Sequence, residues 1–193
     1  PNPVDESFER LNVYSNNNLI NDVFFALSHG VHRGVLKKGK FDGRESFINK
    51  LINITPNVKF DLYGINNIQP IWADSFYKVI ERSKMGLNLS QGKPIKYYSS
   101  DRITQLVGNG LLTFIDEKTQ LGDFFKKDEL IFYNSISELS DKIIKYSLDD
   151  KERIKIAKKG KYKYFKYFNS SLIAKYIIAR TFGDNKTKYL WDE

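Results

Sequence analysis

The chain has 193 residues, 41% of them hydrophobic, no cysteine and a formal charge of +8. That length supports one sizeable core or two small ones. The lack of cysteine excludes disulfides and thiolate metal sites, and no run approaches the roughly 20 apolar residues that span a bilayer. The positive balance admits phosphate-bearing small molecules, an acidic membrane surface or nucleic acid without choosing among them. Neither terminus carries a signal-peptide pattern. Pro1-Asn2-Pro3-Val4 reads as extended or turn-like, and residues 1–20 are expected to form a linker or lead-in segment.

Val23 to Ser28 reads as a buried strand, with His29-Gly30-Val31-His32-Arg33-Gly34 as the loop leaving its end. Asp42 to Glu45 introduces a helix in which Phe47, Ile48, Leu51 and Ile52 repeat at helical spacing, and Thr55-Pro56-Asn57 stops it. Val58 to Tyr63 is a second strand, ending at Gly64. After an Asn-rich loop, Phe76, Val79 and Ile80 mark a helix through about Arg82, and Met85 to Ser90 is the next strand. Gln91 to Tyr98 is a loop, Ser99 to Val107 a short helix, and Leu111 to Ile115 a fourth strand. Leu130 to Tyr133 is a fifth, followed by a helix bearing Leu139, Ile143, Ile144 and Leu148. Asp149 to Glu152 has capping-box spacing and restarts the chain as a helix through much of 151–168, with a last helix over 171–181. Strands alternating with single helices predict an α/β fold with a mostly parallel sheet covered on both faces. Ligands in such sheets sit beyond the carboxyl ends of the strands.

The most informative stretch is Ser99-Ser100-Asp101-Arg102. Ser100 or Asp101 caps the helix start, Gly108 and Gly110 end it, and its free N–H groups together with the Arg102 guanidinium suit a phosphate or sugar hydroxyl. His29, His32 and Arg33 stand between glycines at the exit of the first strand, where they contact phosphate, ribose or an acceptor hydroxyl, or serve the loop's own structure. No third metal ligand follows the two histidines at characteristic spacing, so no metal site is expected. Asp149-Asp150 is read as a helix cap. Asn88 presents an amide near the crevice or closes a strand-end turn, and Lys93 and Lys96, flanking Pro94, offset diphosphate charge. Neither a dinucleotide fingerprint, a phosphate loop nor a nucleophile elbow is present. Lys155, Lys158, Lys159, Lys161, Lys163 and Lys166 alternate with Tyr162, Tyr164, Phe165, Tyr167 and Phe168. The plain reading is a helix with aromatics inward and lysines outward; the other is a surface for acidic membrane or polyanion. No RNA-recognition or zinc-finger signature accompanies the aromatics, so no specific nucleic acid is expected.

The segment Lys84-Met85-Gly86-Leu87-Asn88-Leu89-Ser90, followed by Ser99 through Thr113, resembles the C-terminal donor-binding domain of GT-B-type glycosyltransferases. Its nearest likeness is the branch of spore-maturation-like and cell-surface polysaccharide transferases, in which a Gly-Leu-Asn strand precedes an Arg-x-Phe-Glu helix. The resemblance runs through Phe124-Phe125, Glu129-Leu130, Tyr133, Leu139, Glu152-Arg153, Ala157 and Gly160. It implies that residues 21–168 are a Rossmann-like nucleotide-sugar-binding domain, the C-terminal half of a GT-B fold, with 169–193 as a C-terminal helix and tail. The implied substrates are a nucleotide-activated sugar and a glycan or other hydroxyl acceptor, with no cofactor and no obligatory metal. The implied partner is an N-terminal acceptor domain outside this chain. The expected location is cytoplasmic, with contact to acidic membrane on the cytoplasmic face. Carried over by position, Arg33, Asn88, Lys93, Ser100, Asp101, Arg102 and Gln105 bind donor, while His29 and His32 lie near the cleft as candidate catalytic groups. The family's helix carboxylate falls at Gln105, which hydrogen-bonds but supplies no negative charge. The competing reading is a noncatalytic α/β module that binds polyanion, nucleic acid or a membrane surface.

Overall fold

The computed structural model describes residues 2–28, 35–36, 40–41 and 43–192. Among them the elements run β1 (Asn21–Ala26), β2 (Val35–Leu36), β3 (Lys40–Phe41), α1 (Gly43–Ile54), β4 (Phe60–Tyr63), α2 (Ala73–Ile80), β5 (Ser83–Asn88), α3 (Asp101–Gly108), β6 (Leu112–Asp116), β7 (Ile131–Tyr133), α4 (Ile136–Leu148), α5 (Asp150–Tyr167) and α6 (Ser170–Thr181). Five strands form one sheet in the order β4-β1-β5-β6-β7, and every pairing in it is parallel. The short β2–β3 hairpin, which the hydrophobic pattern does not announce, is antiparallel.

Period-two alternation sorts the strand residues between two faces. Val23, Phe25, Met85, Leu87 and Phe114 pack with Ile48 and Leu51 of α1 and Leu139 and Ile143 of α4. Phe24 and Ala26 pack on the other face with Val79 and Ile80 of α2 and Leu106 of α3. Helices therefore cover both faces, as a parallel sheet requires. Phe24, Phe25 and Phe114 are fully buried, each worth about 1.5–3 kcal/mol by removal from water. Gly86 sets how closely α3 approaches: a Cβ there would lie 2.5 Å from Leu106 Cδ2, so the missing side chain lets α3 rest directly on β5.

The end of α3 follows the sequence. Gly110, at φ +84°, takes the left-handed conformation, its N–H donates to the Val107 carbonyl at 3.0 Å, and the Leu111 N–H donates to Leu106 at 3.0 Å. That double closure is the Schellman arrangement, and β6 begins at once. Asp149 caps α5 as its spacing predicts, its carboxylate accepting the Glu152 N–H at 2.9 Å. The helix then passes from one core cluster to another, with Ile156 and Ala157 on the α4 side and Tyr164 and Phe168 against α3.

Residues 2–20, expected as a linker or lead-in segment, lie against the body. Val4 is fully buried; its N–H donates to the Phe168 carbonyl and its own carbonyl accepts the Ser170 N–H, both at 2.9 Å. Asn109 holds the next stretch, its side chain accepting from Leu11 N–H at 3.1 Å and its carbonyl from Val13 N–H at 3.0 Å. The Pro-Asn-Pro start announces extension, but its binding surface comes from α3 and α5, more than 90 residues away in the chain.

Candidate functional site

The chain leaves β1 through α1 to β4 on one side and returns through α2 to β5 on the other, which opens a crevice beyond the ends of these two neighbouring strands. Arg102 occupies its floor. Nε donates to the Ala26 carbonyl at 3.2 Å and Nη1 to the Leu89 carbonyl at 3.0 Å, so the guanidinium ties together the ends of β1 and β5. Its Cζ lies 5.1 Å from the centre of the Phe25 ring, close enough for a cation–π contact. These contacts hold a positive charge at the topological switch of the sheet.

Above Arg102 lies a cleft of about 750 Å³. Leu27 and Ser28 form one wall, and α3 contributes Ser100, Asp101 and Gln105. The start of α2 contributes Trp72, Ala73 and Asp74, and the N-terminal segment adds Phe8 and Arg10. Trp72 and Phe8 are 60% and 63% exposed, so the rim offers two aromatic faces above a polar floor. Ala73 begins α2 at φ +50°, an αL position that costs a non-glycine residue of order 1 kcal/mol. Burial, and after it the Glu9 carboxylate, raises the pKa of the Tyr77 phenol in the cleft wall above its ordinary value.

Both α2 and α3 start at this cleft, and neither receives a side-chain cap. Ser100 occupies the N-cap position of α3, yet its hydroxyl donates to Asn88 Oδ1 at 2.9 Å. Asn88 is 4% exposed and thus anchors the helix start to the end of β5 from beneath. Asp101 is the first helical residue and accepts a bond from Asn2 Nδ2 at 2.6 Å. The expected cap from Ser100 or Asp101 is therefore replaced by a Ser100–Asn88 tie, because the buried Asn88 amide needs a partner. First-turn N–H groups of a helix have no acceptor within the helix and carry the positive end of its dipole.

Of the residues expected to bind donor, Ser100, Asp101, Arg102 and Gln105 meet in the cleft, with Asn88 below them. Lys93 is exposed in the loop after β5 and does not belong to the cleft wall. His29, His32 and Arg33 lie outside the described residues; Ser28, from which their loop departs, is in the wall. Sequence reasoning misses Phe8, Arg10, Trp72 and Asp74. The available cue was a tryptophan in a polar, Asn-rich stretch; the N-terminal contribution gave none.

Three of the seven lysines of α5 pair with carboxylates. Lys155 pairs with Glu152 at 3.2 Å, Lys159 with Asp128 at 2.5 Å and Lys163 with Glu129 at 2.8 Å, while Lys161 donates to the Leu11 carbonyl. Tyr164 and Phe168 point inward, as the amphipathic reading expects, but Tyr162 is exposed. Among the described residues no three His, Asp or Glu side chains gather as a metal-ligand set, and no helix is long and apolar enough to cross a membrane.

A family model described as glycosyl transferase-like matches residues 44–179. No curated protein matches the sequence significantly. Among solved structures, an alpha1,3-fucosyltransferase superposes with a TM-score of 0.61 at 11% identity, covering 96% of this chain and 50% of the other. TarM gives 0.59 at 14% identity, over 86% of this chain and 36% of the other. The C-terminal domain of a glycosyl transferase group 1 family protein, LpcC, from Francisella tularensis gives 0.51 at 11% identity, over 87% and 96%. The chain thus spans half or less of the first two proteins and nearly all of the isolated C-terminal domain. At these identities the likeness is one of fold, a GT-B-type Rossmann-like domain.

Proposed function

The chain belongs to the glycosyl transferase-like family, and from that premise we propose that it binds the nucleotide-activated sugar donor of a glycosyl transfer to a hydroxyl acceptor. The observation that carries this reading is the placement of Arg102. Its guanidinium is held at the switch point by two strand-end carbonyls, directly beneath the uncapped start of α3.

In the transfer, the bond from the anomeric carbon to the diphosphate oxygen breaks, a bond to the acceptor oxygen forms, and the acceptor's proton leaves. Negative charge grows on the departing nucleoside diphosphate. Arg102 and the first-turn N–H groups supply preorganised positive charge there, which is effective in a site shielded from water. Gln105 lies on the same cleft wall and offers an amide to a ribose or sugar hydroxyl, donating and accepting without adding charge. His29 and His32 remain this chain's candidates for the proton acceptor, and the alternative source is an acceptor-binding domain outside the chain. The branch we favour is that of spore-maturation-like and cell-surface polysaccharide transferases working on the cytoplasmic side of a membrane, supported by the Gly-Leu-Asn strand followed by the Arg-led helix.

Isothermal calorimetry with UDP, GDP, dTDP, CDP and ADP tests the reading. Saturable binding of at least one diphosphate is expected, and competition by the corresponding sugar nucleotide. Absence of binding to all five by protein shown to be folded overturns it.

A further inference from the structure

The carboxyl edge of the sheet carries a second recess, on the α1 side. It encloses about 250 Å³ between the ends of β5, β6 and β7 and the first turn of α1. Its polar lining includes Asp116, Tyr133 and Arg44, and its apolar lining includes Phe47, Leu89 and Pro94. Asp116 and Tyr133 are register partners on β6 and β7, so their side chains leave the sheet on the same face, side by side. Asp116 Oδ1 accepts the Lys118 N–H at 2.9 Å, which fixes the carboxylate. Tyr133 is 3% exposed, and burial, followed by the Asp116 charge, pushes its pKa well above the ordinary phenol value. A phenol donor therefore stands beside a carboxylate.

That pairing matches neighbouring hydroxyls on a sugar ring, since each hydroxyl both donates and accepts. The Phe47, Leu89 and Pro94 wall suits the ring's C–H face. The volume is below the roughly 300–1,000 Å³ of sites for larger ligands, which favours a single pyranose over a nucleoside. Arg102 stands between the two chambers: one of its acceptors, Ala26, lines the large cleft, and the other, Leu89, lines the recess. We infer that the recess holds the glycosyl ring of the donor, with Asp116 and Tyr133 reading its hydroxyls, the nucleotide in the larger cleft and the diphosphate at Arg102.

This inference rests on the donor reading above, and calorimetry separates the two. The probes are UDP, GDP, dTDP, CDP and ADP, each bare and carrying a hexose, titrated into the parent chain, Tyr133→Phe and Asp116→Asn. The parent is expected to bind one sugar-bearing member about tenfold more tightly than its bare diphosphate. Tyr133→Phe then reduces that advantage about fivefold and Asp116→Asn abolishes it, with bare diphosphate affinity unchanged, as the loss of single hydrogen bonds to a bound ligand predicts. Tyr133→Phe keeps the buried ring and Asp116→Asn keeps an acceptor for Lys118, so both variants retain the fold, checked by thermal melting. An advantage that survives both variants, an equal loss for bare and sugar-bearing ligands, or no advantage for any hexose overturns the inference while leaving the parent's diphosphate binding, and with it the donor reading, standing. Failure of the folded parent to bind any of the five bare diphosphates, UDP, GDP, dTDP, CDP and ADP, overturns the donor reading itself.

Discussion

Helices α2 to α6 start in two different ways. α4, α5 and α6 are closed by their own sequence: Ser135 accepts from Glu138 N–H at 3.2 Å, Asp149 from Glu152 N–H at 2.9 Å and Asn169 from Leu172 N–H at 2.9 Å. α2 and α3, which open on the cleft, have no side-chain cap, even though Ser100 stands at the position and is the right residue for it. A cap contributes about 1 kcal/mol, and two of the helices forgo it at the same place. The difference teaches that side-chain caps are spent on the starts of α4, α5 and α6 and withheld at the cleft, where an open helix start suits the anion we propose there.

The strongest way to break that contrast is to remove the charge on the cleft floor. Arg102→Ala is expected to weaken diphosphate binding by about 100-fold, the scale of lost charge-assisted hydrogen bonds, with a drop of about 1–2 kcal/mol in stability from the freed Ala26 and Leu89 carbonyls. Calorimetry and urea unfolding measure the two effects separately. Ser100→Asp turns the open helix start into a capped one. The new carboxylate satisfies first-turn N–H groups and repels phosphate, so diphosphate affinity falls by about tenfold while the melting temperature stays within about 2 °C of the parent. Asp149→Ala is the converse change at a closed helix start: stability falls by about 1 kcal/mol, or about 2–4 °C in Tm for a chain of this size, and diphosphate affinity is unchanged.

The smallest effect concerns pH at the start of α6. Asp5 accepts hydrogen bonds from the Ser170 and Ser7 hydroxyls at 2.5 and 2.6 Å, and these, with Ser170 first, lower its pKa from 3.8 to about 2. A carboxyl whose folded pKa is depressed contributes stability above its unfolded value and loses it as pH falls toward the folded one. Asp5→Asn should therefore be less stable than the parent at pH 6, with the gap closing between pH 3.8 and about 2. Melting curves across that range check the convergence, and a gap independent of pH would show that the hydrogen bonds act without titration.

What the sequence makes legible here is whatever depends on near neighbours. Val23 to Phe25 and Leu111 to Ile115 read as strands because continuous apolar runs suit a sheet buried on both faces. Gly108-Asn109-Gly110 reads as a helix end because only a few conformations close one so tightly, and Asp149 reads as a cap from its distance to Glu152. Arg102 is also legible as a candidate cation. The diversion of Ser100 to Asn88 is not, since nothing in the local pattern says that a buried amide will compete for the hydroxyl. Phe8 and Arg10 are illegible as cleft residues for the same reason: their position depends on Asn109 holding Leu11 and Val13, a contact across almost half the chain. Trp72 shows the intermediate case, visible as an unusual residue in a polar loop but not as part of a rim until α2 is placed beside α3.

The backbone bonds of Val4 to Phe168 and Ser170 join positions more than 160 residues apart. A contact of that sequence separation is non-local and is expected to close after the intervening sheet and α5 are in place. Tyr164 reinforces it by donating its hydroxyl to the Asn2 carbonyl at 3.0 Å. The wall that Phe8 and Arg10 give the cleft is thereby tied to α5 and the start of α6: a chain truncated before Tyr164 is expected to keep its sheet and lose that wall.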